Sequence, residues 1–352
     1  MKIEKEKISN INNNQVFKIT FTNENNYIVS FYNFGGYINN IFIPYKNNLD
    51  KHEDVLLGYK NFEDYIKDRS YLNCIVGRVC GRIAEAQFNL NNKTYKLYSN
   101  DGKHHLHGGK EGFNKKIWNI QNLEENKNLL KCDLTYRSLH LEEGYPGNLN
   151  CKASYILTNN NEFIIEFNVE SDQDTLINLT NHNYWNFHGH DLYYQKILNH
   201  YVKINAQNYC ETNNYLIPTG KMLDVKKTKY NFSQYKKIDN STLENRGIDT
   251  CYSINNYDGS VREIALVYSD YTKMGLKLFS NQPGIHFYTG NMMEKRYNGK
   301  MDKSYGYQHA LCLEPQLFPD AINHTNFESP ILCKEDKYQS LIVMKLKNDF
   351  DE

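Results

Sequence analysis

Long apolar segments and net charge are both missing from this sequence. The 352 residues include no apolar run of 18 or more, and the charged residues 1–7 are not followed by the apolar stretch of a secretion signal. The 41 Lys and Arg residues balance 41 Asp and Glu residues. We therefore predict no membrane span, and we expect neither nucleic acid nor a membrane surface as a partner. The expected location is the cytoplasm.

Paired cysteine motifs are missing as well. The chain has eight cysteines, but no two of them form the C-x-x-C of a zinc ribbon. In a chain of this length without a secretion signal, the default is reduced thiols rather than a disulfide framework. Cysteine chemistry is therefore not expected to define the function.

The third absence is helical periodicity, because no stretch of 12 or more residues keeps a 3.6-residue apolar stripe. Only residues 61–66 and 242–245 predict single helical turns. Apolar and polar residues instead alternate on either side of short Asn-rich turns, which predicts β-hairpins at residues 16–31, 87–97 and 154–169. Many strands with almost no helix predict an all-β fold, a sandwich or a barrel.

Domain boundaries are also hard to find. The sequence has no long linker rich in Pro, Gly or Ser and no repeat of fixed period. We interpret residues 1–352 as one β domain with surface loops, in which the Lys- and Asn-rich residues 226–240 form an insertion between patterned segments.

One carboxylate follows an apolar run near the C-terminal end. Leu311, Cys312 and Leu313 lead into Glu314, and prolines follow at 315 and 319. An apolar strand that ends in a carboxylate and a proline break would place Glu314 at the rim of a core, where it could act as a base. The simpler interpretation is a solvated strand end, since Glu usually lies outside.

Two arginines and a histidine cluster lie in the first third of the chain. Arg78 and Arg82 are four residues apart, and one of them could point into a cleft, although surface arginines are more common. In residues 104–109, HHLHGG, alternation along a strand would put His105 and His107 on one face, where they could bind zinc. We favour neutral histidines that bind a hydroxylated ligand, because the two glycines indicate a close backbone approach.

Residues 180–186, TNHNYWN, interleave amides and an imidazole with aromatic rings. A sugar site needs this mixture, because rings stack on pyranose faces while polar groups bind hydroxyls. A hydrogen-bonded network that closes a sheet edge is the alternative. Asp249 adds a second possible carboxylate.

Together these stretches resemble the aldose 1-epimerase (galactose mutarotase) family. The matching motifs are collinear over nearly the whole chain: DVLLGY at 54–59, GR at 77–78, RI at 82–83, LHGG at 106–109, GF at 112–113, Trp118, EGYPG at 143–147, NLTNH at 178–182, PTG at 218–220, NQPG at 281–284, FYTGN at 287–291, CLE at 312–314 and PDA at 319–321.

The resemblance implies a large antiparallel β-sandwich, the galactose mutarotase-like supersandwich, with an open cleft for a free monosaccharide. It implies interconversion of the α and β anomers of aldohexoses such as glucose or galactose, without metal or organic cofactor. Glu314 matches the general base and His182 the general acid, which we expect on opposite sides of the sugar. The matching sugar-binding positions are Arg82, His107, Tyr184, Asp249 and His286. We expect a monomer or a weak dimer.

The chain departs from the family pattern at four positions. Gly81 stands where the family usually has a sugar-contacting Asn, and His286 replaces a Gln. Thr250 replaces a His after Asp249, and Pro315 replaces a Thr. None of these changes touches the acid or the base, but they leave the preferred sugar open.

Three other functions remain compatible with the sequence. A hexose-6-phosphate epimerase would need a basic cluster at the cleft rim, for which only Arg78 and Arg82 lie close together. A non-catalytic sugar-binding module has no need for both His182 and Glu314. A glycoside hydrolase would use Asp249 and Glu314 as its two carboxylates.

Overall fold

The computed structural model describes residues 1–190, 196–293 and 299–350. Within these ranges the chain forms 27 β-strands and two short α-helices, α1 at Phe62–Ile66 and α2 at Asn240–Leu243. Both helices are single turns, as the sequence predicts. None of the helices in the described ranges has the length and apolar character that crossing a bilayer requires.

The strands follow one another along the whole chain. In chain order they are β1 Lys2–Ile11, β2 Asn14–Thr22, β3 Ile28–Tyr32, β4 Ile38–Tyr45, β5 Asn48–Asp54, β6 Ile75–Val76, β7 Arg82–Ile83, β8 Gln87–Leu90, β9 Lys93–Lys96, β10 His105–Leu106, β11 Asn119–Glu125, β12 Leu129–Ser138, β13 Leu149–Thr158, β14 Glu162–Ser171, β15 Thr175–Leu176, β16 Thr180–Asn181, β17 His200–Ile204, β18 Ala206–Thr212, β19 Pro218–Asp224, β20 Lys236–Lys237, β21 Asp249–Ile254, β22 Arg262–Ser269, β23 Gly275–Ser280, β24 Gly284–Tyr288, β25 Cys312–Gln316, β26 Ile331–Leu332 and β27 Lys337–Lys347.

Three large sheets dominate the architecture. The first contains β1 to β5 in chain order, and the second has nine strands in the order β11-β12-β13-β14-β27-β23-β22-β17-β20. The third, which we call the site sheet, has the order β19-β18-β21-β24-β25. Neighbouring strands in all three sheets pair antiparallel. Four two-stranded ribbons complete the structure, namely β10-β7, β15-β26, β16-β6 and β8-β9.

The predicted hairpins are confirmed. Strands β2 and β3 pair, as do β8 with β9 and β13 with β14. Their alternating burial explains the pairing, since β14 has a buried residue at every second position from Phe163 to Val169. One face of each such strand thus turns toward the interior.

One continuous apolar core joins the three large sheets. It contains residues of the first sheet such as Phe31, of the second such as Tyr155, and of the site sheet such as Ile285. The rings of Phe31 and Tyr155 meet edge to face with their centroids 4.7 Å apart. Sheets packed face to face over a shared core form an antiparallel β-sandwich, as predicted.

The residues 226–240 contribute to this core, which the sequence does not lead us to expect. Phe232 and Ile238 are fully buried in it. Strand β20 also adds Lys236 and Lys237 to the edge of the nine-stranded sheet. Phe232 and Ile238 therefore anchor this insertion in the core.

Candidate active site

A cavity of about 260 Å³ opens over the site sheet. Its lining combines the site sheet with loops of the first part of the chain and with the residues that follow β16. It includes every residue assigned to the site from the sequence, namely Gly81, Arg82, His107, His182, Tyr184, Asp249, His286 and Glu314. Residues more than 230 positions apart thus meet in one place.

Glu314 lies at the centre of β25, one of the two outer strands of the site sheet. It is 1% exposed, which is deeper than the core rim expected from the sequence. Pro315 does not end the strand, which continues to Gln316. An outer strand tolerates proline because it can leave the missing N–H unpaired. The expected proline break directly after Glu314 is therefore wrong.

Burial controls the protonation of Glu314. It raises the pKa of this carboxyl to about 8, while nearby His286 lowers the pKa and Asp249 raises it. Oxygen Oε2 has no hydrogen-bond partner among the described residues. A carboxylate without such partners is a strong base once it is ionised.

His182 stands next to Glu314. Its Nε2 lies 3.6 Å from Oε1 of Glu314. The backbone N–H of His182 donates to the carbonyl of Cys74 beside the β16-β6 ribbon. The imidazole stacks on the ring of Tyr184, with centroids 4.9 Å apart and planes at 13°. Tyr184 is itself fixed, because its hydroxyl donates to the Ser70 carbonyl at 2.7 Å.

The distance between His182 and Glu314 corrects the expectation that they lie on opposite sides of the sugar. A pyranose ring between two groups needs about 7 Å, since carbon atoms in contact are about 3.5 Å apart. At 3.6 Å, His182 and Glu314 cannot lie on opposite sides of a sugar. They lie side by side, which suits two oxygens attached to the same carbon. Burial lowers the pKa of His182 to about 3, and nearby His286 adds to the effect.

His286 and Asp249 form an ion pair on the same face of the site sheet. Nε2 of His286 lies 2.8 Å from Oδ1 of Asp249. Burial works against the charged imidazole, but the hydrogen bond and the charge of Asp249 raise the pKa of His286 above its usual value. The register places His286 directly opposite Glu314.

Gly81, Arg82 and His107 form the facing wall. Gly81 has a φ of +74° and its backbone N–H donates to Nδ1 of His107 at 3.2 Å. A β-carbon at Gly81 would lie 3.0 Å from Pro319, so a side chain there would press on that ring. Nε of Arg82 donates to Asp101 at 2.7 Å, which orients the guanidinium along the cavity.

The structure separates the two neighbouring arginines. Arg78 is 2% exposed and lies outside the cavity lining. Its guanidinium donates to the carbonyls of Pro146, Leu139 and Gly147 and to the Ser138 hydroxyl. Arg78 therefore fixes the loop before β13, and it does not join Arg82 at the cavity, where a hexose-6-phosphate epimerase would need a basic cluster.

His105 and His107 do not form the shared strand face that the zinc hypothesis requires. His105 is held by the Tyr98 carbonyl and the Tyr145 hydroxyl, at 2.8 and 2.7 Å. His107 follows the end of β10 with a φ of +52°, so the strand alternation that would align it with His105 is broken. In the three described ranges no three His, Cys, Asp or Glu side chains are grouped as metal ligands.

The other lining residues were not assigned from the sequence, and Gln316 and Tyr71 are two of them. Gln316 is 1% exposed and follows Glu314 by two positions, so both side chains lie on one face of β25. Its Oε1 accepts from the Cys80 thiol at 3.2 Å, whereas its Nε2 has no partner in the described parts of the chain. Tyr71 lies 4.7 Å from the His107 ring between centroids. Residue spacing in β25 would have pointed to Gln316.

Comparison with known proteins identifies the family of this chain. A family model described as aldose 1-epimerase matches residues 18–345. The chain is 34% identical over 318 residues to an aldose 1-epimerase of Haemophilus influenzae, covering 88% of this chain and 89% of the relative. It is 31% identical over 301 residues to the galactose mutarotase of Bos taurus, covering 83% and 84% of the two chains.

Solved structures show the same fold. A galactose 1-epimerase from Lactobacillus acidophilus superposes with a TM-score of 0.86 at 24% identity, over 99% of both chains. An aldose epimerase homologue from C. elegans gives 0.85 at 24% identity, over 99% of this chain and 100% of its own. From the match over most of its length and the curated relatives, the chain belongs to the aldose 1-epimerase family.

Proposed function

We propose that the protein interconverts the α and β anomers of free aldohexoses, with Glu314 as general base and His182 as general acid. The observation that carries the proposal is the pair itself, a buried carboxylate and a buried imidazole 3.6 Å apart inside a cavity. Membership of the aldose 1-epimerase family supports it.

The chemistry requires two proton transfers at one carbon. Opening the hemiacetal ring removes the proton of the C1 hydroxyl and delivers a proton to the ring oxygen, which is also bonded to C1. Glu314 takes the first proton and His182 gives the second. The aldehyde then rotates about the C1–C2 bond, and the reverse transfers close the ring from the other face. Each positioned transfer contributes on the order of 10²–10⁴-fold to the rate.

The pair holds one proton throughout this cycle. Ring opening converts ionised Glu314 and protonated His182 into neutral Glu314 and neutral His182, and closure restores the starting form. The pKa values of about 8 for Glu314 and about 3 for His182 keep a single proton on the pair across the intervening pH range. At rest this proton is on Glu314, and it passes to His182 before the ring opens. Burial of both groups therefore supports a role in shuttling one proton.

The remaining polar groups are proposed to hold the sugar. Arg82, His107, Asp249 and His286 line the cavity and offer donors and acceptors to hydroxyls. We add Gln316, because its unpaired Nε2 is buried beside the proposed base. Tyr184 is assigned to the support of His182. Fixed contacts of this kind align C1 with the acid and the base.

Polarimetry tests the proposal. The rotation of freshly dissolved α-D-glucose and α-D-galactose is followed at pH 7 with and without the protein, and a faster approach to equilibrium is expected on one or both sugars. Glu170→Gln, at an exposed residue of β14 outside the cavity lining, is the comparison and should keep the wild-type rate. Equal rates with and without the wild-type protein on both sugars would contradict the proposed activity.

A further inference from the structure

The ion pair of His286 and Asp249 lies beside the proposed base. His286 and Glu314 are direct partners on the neighbouring strands β24 and β25. Side chains opposite each other in an antiparallel pair share a face, with β-carbons about 4.5–5.5 Å apart. Asp249 lies on β21, on the other side of His286, with its Oδ1 2.8 Å from the ring. The imidazole thus separates two carboxylates.

Neither His286 nor Glu314 is fully satisfied by hydrogen bonds. Nδ1 of His286 and Oε2 of Glu314 are both buried without a hydrogen-bond partner among the described residues. An unpaired polar atom in such a place is costly unless a ligand or a charge compensates it.

The charged and titratable groups around His286 show which cation balances the charge of Asp249. Those on the neighbouring strands are Asp249 and Cys251 on β21 and Cys312 and Glu314 on β25. The rest of the cavity lining adds Arg69, Tyr71, Arg82, His107, His182, Tyr184 and Tyr288. Two carboxylates flank His286, whereas Arg82 is already paired with Asp101. His286 is therefore the cation that balances Asp249 next to Glu314.

We propose that His286 is a positioning residue whose imidazolium, held by Asp249, cancels the charge of that carboxylate and so keeps Glu314 available as a base. The inference rests on the proposed function and extends it. The directions of the electrostatic effects agree, because Asp249 raises the pKa of His286, and the charge of His286 in turn lowers the pKa of Glu314.

Loss of the His286 imidazolium should change the ionisation of Glu314. With a neutral side chain at 286, the Asp249 carboxylate faces Glu314 without compensation, and ionised Glu314 becomes rarer. A unit charge about 5 Å away at an effective dielectric constant near 20, weakened by solvent in the cavity, shifts proton binding by about one pH unit. The imidazolium lowers the pKa of both Glu314 and His182, so its loss should raise both pKa values and displace the pH profile of kcat/KM.

Two variants test this charge balance. His286→Gln keeps a hydrogen-bonding side chain but removes the charge, and His286→Gln with Asp249→Asn removes both charges. We expect the alkaline limb of kcat/KM to move up by about one pH unit in the single variant and to return in the double variant. The proposal would be overturned if kcat/KM of His286→Gln kept the wild-type alkaline limb. It would also be overturned if His286→Gln lost activity equally at every pH and the double variant did not restore it.

A measurement without turnover separates this inference from the proposed function. In protein labelled with ¹³C in its histidine rings, the His286 signal is identified by its absence in His286→Gln. We expect it to report a protonated ring at pH 7 in the wild type and a neutral ring in Asp249→Asn. A neutral His286 at pH 7 would overturn the inference, whereas inactivity on all aldoses would contradict the proposed function alone.

Discussion

Two buried carboxylates, Asp54 and Glu314, have opposite environments. One oxygen of Asp54 accepts from Lys300 at 2.8 Å and from Asn40 at 2.6 Å, and His190 lies 3.3 Å away. Burial alone would raise the pKa of Asp54, but Lys300 and His190 lower it to about 2. Burial raises the pKa of Glu314 to about 8.

The difference separates a structural carboxylate from a reactive one. Asp54 ends β5, and its bond to Lys300 fixes a segment 246 residues away in sequence. A carboxylate that is paired in this way stays ionised and stays in place. Glu314 has an oxygen without a hydrogen-bond partner in the described parts of the chain, so this oxygen is free to take a proton from a substrate. Four experiments test how far this contrast holds.

The largest expected effect is on catalysis. Glu314→Gln keeps the size and polarity of the side chain but cannot accept the C1 proton, so the enzymatic rate should fall by about 10²–10⁴-fold. Sugar binding, measured by calorimetry, should change little. Glu170→Gln, at an exposed residue of β14, serves as the matched control. Full activity in Glu314→Gln would show that another group is the base.

Asp54→Asn should act on stability instead. It leaves Lys300 buried without its counter-charge, which costs about 3–5 kcal/mol in the free energy of unfolding. Denaturant titration measures this loss, and the rate per folded molecule should fall far less than in Glu314→Gln. The double variant with Lys300→Met should recover part of the stability. A loss below about 1 kcal/mol would place Asp54 outside the stabilising network.

Glu314→Gln should also stabilise the protein at alkaline pH. The folded-state pKa of about 8 lies above the ordinary 4.5, so the stability that protonated Glu314 contributes is complete below about pH 4.5 and is lost as the pH rises through 8. At about 1.4 kcal/mol per pH unit, reduced by water in the cavity, the variant should be more stable by about 2–4 kcal/mol at pH 9.

Urea titrations of both proteins at pH 5 and pH 9 measure this difference. It should be small at pH 5, because Glu314 is protonated there in the folded state. A variant that is less stable than the wild type at pH 9 would contradict a raised pKa for Glu314.

The smallest expected effect is in the wild-type pH profile. Because the Glu314 and His182 pair needs one proton, kcat/KM should be flat through neutral pH and fall tenfold per pH unit above about pH 8, where the pair loses that proton. Initial rates from pH 5 to 10 define this limb. A fall on the acid side of pH 6 instead would assign the titration to a group outside the pair.

The sequence predicts local structure best. Alternation in residues 16–31 predicts the β2-β3 hairpin because strand pairing there is local and one face is buried. Glu314, His182 and the surrounding motifs could be placed in a site through the family resemblance, and all eight assigned residues line one cavity. Their roles remain predictions that the experiments above address.

Features made by distant contacts could not be predicted. No local pattern distinguishes Arg78 from Arg82, because the carbonyls that hold Arg78 come from a loop about 60 residues later. The bond of Asp54 to Lys300 has no sequence signal either. His107 was grouped with His105 because alternation assumes an extended strand, whereas the backbone turns at His107.

The contact between Gly81 and His107 determines what the cavity wall offers to a sugar. Nδ1 of His107 accepts the Gly81 N–H, and burial holds the pKa of this imidazole well below its usual value. The ring is therefore a neutral tautomer with its hydrogen on Nε2. It can only donate toward a sugar oxygen, which leaves the proton of that hydroxyl free for an acceptor elsewhere. A backbone amide thus sets the direction in which a chain of hydrogen bonds runs across the substrate.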